Sequence, residues 1–466
     1  MNNELFSDFS NECLSNLEKE NPDINNLTIE QLDSIKKCFE NRISIITGKA
    51  GTGKTKLIDT IIKISNNVNP NIKIGLTALS GMATKNISNS LKLNLNNVET
   101  INIHKLLDGN GIRRFRYNET ILLNKDIIIV DECSMIDLRM FYHLFQAIST
   151  KIEKIILVGD SNQLPPISTG IVFEDLIESN IISTSKLTKN FRQNENEDLL
   201  RFANDIIENN NTYTKEDFLK IIEENKIKGI NFLFNKNTDD LKEFLVSEYL
   251  TSSYENCNLK NLQIISNINT EEKDYFYSTK TINNFLKRRL CNHDLDLNEY
   301  YFKQRVLFTR NKFKKDTYLK FDIFNGDIGY ICSIKDIKSE YKYLNKIYKK
   351  EVKILIDNNF IECYLSKDDR FYLKNKLNIE IKIECGFCVS VHKLQGGEYK
   401  KIIYIASGSN RPSNFHTKRT VYTALTRAKE EIIICGNKDV FLTQLTNDFV
   451  KPKTSLVEFL KDELEY

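Results

Sequence analysis

The sequence predicts an α/β fold built on parallel sheets, and three observations carry that expectation. Continuous β-branched runs alternate with helical segments through the first half of the chain. Runs without polar alternation mark strands buried on both faces of a parallel sheet. A glycine-rich loop, "GKAGTGKT" at 48–55, stands between one such run and a helical stretch. The alternation lapses between about 305 and 385, where strand-like runs follow one another without clear helices, and then resumes.

Taken in order, "ISIIT" (core at 44–47) precedes the glycine loop and the helical "KTKLIDTIIKI". "IKIGLT" (72–77) leads into helical "GMATKNISNSL", "DIIIVDE" (126–132) into "DLRMFYHLFQAI", and "KIILVGD" (154–160) closes the first set. "RVLFT", "DIGYI" and "VKILI" mark a β-rich insertion. "FCVSV" (387–391), "KIIYIA" (401–406), the helical "TVYTALTRAK" and "EIIICG" (431–436) restore the α/β pattern. The expected division is a first domain over 1–190, a second over 191–304 and 386–466, and the β-rich insertion at 305–385.

The 466 residues allow two to four domains. With 66 Lys and Arg against 63 Asp and Glu, the net charge of +3 excludes a blanket of positive charge. Contact with nucleic acid must then come from local patches. The N-terminal stretch shows no signal-peptide pattern, and no apolar run approaches the ~20 residues that span a bilayer. The ten cysteines are scattered, several of them inside apolar runs. They read as reduced thiols rather than a disulfide framework. The expectation is a soluble, intracellular chain with no membrane partner.

"GKAGTGKT" has the strand–loop–helix setting that a phosphate-binding loop requires. Gly48, Ala50, Gly51, Thr52 and Gly53 would turn backbone N–H groups toward phosphates at a helix N-terminus. Lys54 would reach the β- and γ-phosphates of ATP, and the Thr55 hydroxyl would ligate Mg2+. In "IIIVDECSM", Asp131 ends a buried strand and would hold Mg2+, while Glu132 would orient and deprotonate the attacking water. Two of the six prolines stand together in "VGDSNQLPPIS". They stiffen a loop that fixes Asp160 and Gln163 near a strand's carboxyl end. Gln163 would contact the γ-phosphate or its water.

"GKAGTGKT", "VDECSM", "GDSNQLPP", "LTKNFRQ" (187–193), "VHKLQGGE" (391–398) and "YTALTRAK" (422–429) occur in that order. Together they resemble superfamily 1 DNA helicases of the RecD/Dda-like branch, over residues 27 to 436. The resemblance implies two RecA-like domains with ATP in the cleft between them and 5′-to-3′ movement along single-stranded DNA. It implies that Gln31 reads adenine, Glu398 holds the ribose, and Arg192 and Arg427 act as arginine fingers. Arginine suits that role because its fixed fork of donors matches spread phosphate charge.

The resemblance also places DNA contacts at Ser80, His104, Ser390 and His392. "LTALSGMATK" departs from the family pattern, with Leu79 for a proline and Ser80 for a threonine. A small β-hairpin insertion is expected at about 105–125, where "DGNG" is a turn signal. There "RRFRY" sets Phe115 among arginines that would stack on bases and grip phosphates. "NGDIGYI" (325–331) resembles a small β-barrel in the second domain. Its "KSEYKYLNKIYKK" mixes lysines with Tyr341, Tyr343 and Tyr348, a pattern that fits either single-stranded DNA or a solvated hairpin.

Cys385 and Cys388 form a C-x-x-C beside His392, but a zinc site needs further ligands that no second pair supplies. They read as small hydrophobes entering a strand. The stretch "ECGFCVSVHKLQGGEYK" then couples DNA contacts at Ser390 and His392 to the nucleotide contact at Glu398. The expected partners are single-stranded DNA, duplex junctions, and replication or recombination proteins. An RNA helicase, or a non-unwinding translocase subunit of a recombination or conjugation complex, stays open beside the DNA helicase.

Overall fold

The computed structural model describes residues 26–91, 96–109, 115–191, 197–208, 213–234, 237–254, 258–269, 277–291, 300–313, 319–343, 346–408 and 416–462. The chain divides into two compact units, Met1–Asn194 with Val450–Tyr466, and Glu195–Phe449.

In the first unit, β1 (Ile43–Gly48), β2 (Ile74–Ala78), β3 (Val98–Asn102), β4 (Ile127–Asp131), β5 (Lys154–Gly159) and β6 (Ser183–Leu187) form one sheet. Among the described residues its order is β3-β2-β4-β5-β1-β6, and every pairing is parallel. Successive residues point to opposite faces, and both faces are covered. Ile46, Leu76, Ile129, Ile156 and Val158 pack on one side, with α1 (Ile29–Glu40), α2 (Lys54–Val68) and α3 (Gly81–Leu91). Ile45, Ile128, Val130, Ile155 and Leu157 pack on the other. That face meets the short α4 (Ile103–Leu106), α5 (Leu138–Gln146) and α6 (Val172–Ser179). The strand order reverses around β1, so the glycine loop lies at the crevice where doubly wound sheets bind ligands.

The second unit holds α7 (Glu197–Glu208), α8 (Lys215–Glu224), β7 (Ile230–Leu233), α9 (Thr238–Tyr249), β8 (Leu262–Ser266) and α10 (Thr279–Leu290). Next come β9 (Arg305–Phe308), β10 (Ile328–Tyr343), β11 (Lys346–Ile356), β12 (Asn359–Ser366), β13 (Phe371–Leu373), β14 (Lys376–Ile381) and β15 (Ile383–Cys385). β16 (Cys388–Ser390), β17 (Tyr399–Ala406), α11 (Lys418–Leu425), β18 (Ala428–Gly436) and α12 (Lys438–Thr446) complete it. A parallel sheet runs β16-β8-β17-β18-β7. An antiparallel sheet runs β14-β13-β12-β11-β10-β9-β15. Register shifts interrupt the β10–β11, β11–β12 and β13–β14 pairings, and such bulges raise local twist and curl a sheet. The architecture is two RecA-like α/β domains with an antiparallel insertion in the second.

Two expectations need correcting. Residues 450–466 do not travel with 386–449; they group with the first unit. There α13 (Leu456–Asp462) lays Leu456 and Leu460 on the core beside α6. Lys451 pairs with Glu174 at 3.7 Å and with Glu178. An apolar pair on a short helix was too brief to assign to a domain from sequence. Tyr348, read as a surface aromatic, is 1% exposed and packs with Tyr372 and Leu377. The bulge between Tyr348 and Lys350 re-aims side chains in that ribbon. The side chains of Tyr341 and Tyr343 lie outside the described residues.

Candidate nucleotide and DNA sites

β1 ends at Gly48 and α2 begins at Lys54, so the loop spans a strand end and a helix N-terminus. Gly51 and Gly53 take φ of 84° and 82°, a region that costs a side chain roughly 1–2 kcal/mol. A Cβ on Gly48 would meet Thr52 Oγ1 at 2.6 Å and Leu187 Cβ at 2.9 Å. The Lys54 ammonium donates to the carbonyls of Gly48 (2.6 Å) and Lys49 (3.0 Å), which holds it across the mouth of the loop. Thr55 is half-buried in the first turn of α2.

Gln31 is 2% exposed and has two tasks. Its backbone and side chain form a reciprocal cap with Thr28 at the start of α1. Its Nε2 donates to the Thr52 carbonyl of the loop at 3.4 Å. The segment after β6 also braces the loop: Phe191 N–H donates to Gly51 O (2.9 Å) and Asn190 Nδ2 to Ala50 O (3.4 Å). Glu30 accepts from the backbone and hydroxyl of Thr188, bonds that hold its carboxyl below the usual range. Sequence reasoning missed Glu30, Asn190 and Phe191. Only the T-x-x-Q cap at 28–31 was a local signal.

Asp131 closes β4, and its Oδ1 accepts from the Glu132 N–H at 2.8 Å. Burial, and secondly the adjacent Glu132 carboxylate, push the Asp131 carboxyl up to about 7, with the Lys54 ammonium opposing. Glu132 sits at φ 53°, ψ 40°. That left-handed backbone costs a non-glycine residue about 1–3 kcal/mol and is typical of functional sites. Gln163 is 3% exposed, and its Oε1 has no hydrogen-bond partner among the described residues. Asp160 instead closes its own turn, accepting from Asn162 N–H at 3.0 Å. A glycine loop at a helix N-terminus, a half-buried lysine across it, two strand-end carboxylates and an orphaned amide oxygen fit a nucleoside triphosphate with Mg2+.

In the second unit, Glu398 pairs with Lys429 at 3.2 Å. Arg427 is 5% exposed between α11 and β18, and its carbonyl accepts from Tyr399 N–H at 3.0 Å. Arg192 lies outside the described residues.

The expected DNA contacts are placed as follows. Ser80 Oγ accepts from Ala83 N–H at 3.0 Å, so the residue that replaces a threonine starts α3. His104 and Phe115 are half-buried with ring centroids 6.2 Å apart, and Phe115 meets His143 at 4.9 Å. Phe115 is thus packed partly on its own chain. Gly109 and Phe115 form an antiparallel bridge, and residues 110–114 lie outside the described residues. Ser390 ends β16, its Oγ accepting from Lys393 N–H at 3.4 Å, and half-buried His392 follows. Burial lowers the pKa of both His104 and His392.

Cys388 is buried inside β16 and Cys385 is half-buried in β15. Burial pushes both thiols up, away from the thiolate that a metal would need.

The residues 31–169 match the AAA domain family, and 386–435 match the UvrD-like helicase C-terminal domain. The RecBCD enzyme subunit RecD of Buchnera aphidicola is 25% identical over 87% of this chain and 71% of its own length. The ATP-dependent RecD2 DNA helicase of Deinococcus radiodurans is 22% identical over 93% of this chain. The chain spans 52% of that RecD2 and 40% of a longer, 25% identical Methanocaldococcus jannaschii protein. The crystal structure of Bacteroides Pif1 bound to ssDNA shares the fold, with a TM-score of 0.52, 18% identity and coverage of 94% and 97% of the two chains.

Fold and site together define a P-loop protein with two RecA-like domains. In sequence the chain is similar to RecD and RecD2 helicases, and in fold to Pif1 helicase. Among the described residues no helix is long and apolar enough to cross a membrane.

Proposed function

We propose that the chain is an ATP-dependent DNA helicase that translocates 5′ to 3′ on single-stranded DNA. One observation carries the reading. A complete P-loop sheet with strand-end carboxylates is followed by a second parallel sheet, three strands of which fall in the match to a helicase C-terminal domain.

Lys54 neutralises phosphate charge, Glu132 takes the proton of the attacking water, and Gln163 orients that water. Thr55 and Asp131 would hold Mg2+, which supplies neutralisation of the phosphate oxygens when bound. Gln31 serves the base, Glu398 the ribose, and Arg192 and Arg427 supply cations to the transition state. Ser80, His104, Phe115, Ser390 and His392 form the DNA-contacting set, and replication or recombination proteins are the expected partners.

Strand displacement on 5′- and 3′-tailed DNA and RNA duplexes tests the reading. Unwinding of the 5′-tailed DNA is expected. Lys54→Ala should lower hydrolysis by ~10²–10³-fold and abolish unwinding. ATP hydrolysis stimulated by DNA without duplex opening would instead favour the translocase subunit.

A further inference from the structure

Arg305 opens β9, the strand through which the antiparallel insertion meets the rest of its unit, and it is fully buried. Its Nη1 donates to Leu262 O (2.8 Å), and its Nη2 to Leu259 O (3.1 Å) and Gln263 Oε1 (2.7 Å). A buried guanidinium is costly unless its donors are met. Here oxygens at and just before the start of β8 meet Nη1 and Nη2, while Nε has no partner among the described residues, so the insertion is bonded to the parallel sheet from within the core.

Gln263 passes the connection on. Its Nε2 donates to Phe387 O at 3.0 Å and to Ile264 O at 2.9 Å. The chain makes the same link directly, because Gly386 N–H donates to Arg305 O at 3.0 Å. A Cβ on Gly386 would meet the Val306 carbonyl carbon at 2.8 Å, so only glycine lets the two strands approach this closely. Phe387 sets its ring edge-on to buried Tyr249 at 5.1 Å. One residue further, Asn283 of α10 clasps Cys388, donating to its carbonyl (2.7 Å) and accepting from its N–H (2.9 Å). That amide does for edge strand β16 what a neighbouring strand would do.

The segment from Cys385 to Ser390 thus passes from one sheet to the other with its backbone held at Gly386, Phe387 and Cys388. We propose that Arg305 is a positioning residue which, through Gln263 and Phe387, locks the antiparallel insertion to the strand that ends at Ser390 and leads into His392. The insertion and the DNA-contacting segment then move as one body, and force on one reaches the other without loss in a flexible joint. This rests on the helicase reading above.

The test uses the full chain with Arg305→Met, Arg305→Lys and Gln263→Met, each checked for a cooperative thermal transition. Base pairs opened per ATP, KM for ATP and hydrogen exchange at 387–390 are measured against the unaltered chain. Arg305→Met should open about tenfold fewer base pairs per ATP while KM for ATP stays within about twofold, and exchange at Cys388 should quicken. Arg305→Lys should fall between, since one ammonium cannot serve the same spread of acceptors. Unchanged coupling and exchange would overturn the proposal, as would equal losses of hydrolysis and unwinding. If Arg305→Met fails to fold, Gln263→Met decides, because it removes the relay and leaves the guanidinium its carbonyl partners. Failure of the helicase reading shows in the unaltered chain as hydrolysis without duplex opening. Exchange at 387–390 then decides alone: retained protection in the variants sinks the proposal and lost protection upholds it.

Discussion

The two parallel sheets share an architecture and differ in what stands at their strand ends. In the first, β4 ends in Asp131, Glu132 follows in a left-handed conformation, and Gln163 presents a buried oxygen with no bond among the described residues. The strands of the second end in Leu233, Ser266, Ser390, Ala406 and Gly436, without a carboxylate. Ser266 Oγ donates to Tyr277 O at 2.6 Å and shares a hydrogen bond with Ser407 Oγ at 2.8 Å. One sheet keeps strained and electrostatically costly groups at its edge, and the other closes its edge on itself. A shared fold therefore does not distribute chemistry evenly, and function must be read from the site.

The comparison breaks most readily at Glu132. Glu132→Gln should lower hydrolysis by ~10²–10⁴-fold with nucleotide binding retained, measured as single-turnover rate beside equilibrium binding. A rate within tenfold of the unaltered chain would move the base elsewhere. Gln163→Met should separate function from stability. Hydrolysis is expected to drop about tenfold, as for loss of a group that orients water. The melting temperature should rise, because an unbonded buried oxygen costs ~1–3 kcal/mol. A lower melting temperature would mean that the oxygen is bonded in solution.

Ser266→Ala sharpens the contrast from the other side. It should cost about 1 kcal/mol of stability, the worth of an ordinary hydrogen bond, and leave hydrolysis within about twofold. Strong loss of hydrolysis would show that the second sheet's edge also carries chemistry.

The smallest effect concerns pH. His104 and His392, one in each unit, have pKa values lowered by burial. Below the ordinary histidine value near ~6.5 the unfolded chain binds protons that the folded chain refuses. Their contribution is therefore present above that pH and lost as pH falls through it toward the folded values. Melting temperatures between about pH 7.5 and 5.5 should decline less steeply in His392→Asn than in the unaltered chain. An identical slope would mean that His392 binds its proton equally well in the folded and unfolded chain.

Much of this was legible locally. The glycine loop, the strand-end carboxylates and the late α/β pattern are runs whose period and turn chemistry act within a few residues. Phe115 illustrates the limit: its type suited base stacking, and its half-buried packing against His143 depends on a helix distant in sequence. Tyr348 is a second case, since a bulge decides which face it takes. The tail at 450–466 is a third, because two leucines on a short helix fit many surfaces.

The sequence by itself determined the α/β class, the nucleotide loop and the ordered motifs, because glycine, β-branched and paired acidic residues constrain the backbone where they stand. Only the tertiary structure decided what those motifs rest on. Gln31 braces the loop from a helix cap, Glu30 anchors Thr188, and Arg305 with Gln263 and Asn283 holds the strand that Cys388 opens. These are hydrogen bonds between residues far apart in the chain. Most of their partners are backbone carbonyls and amides, which every residue carries and no sequence pattern singles out.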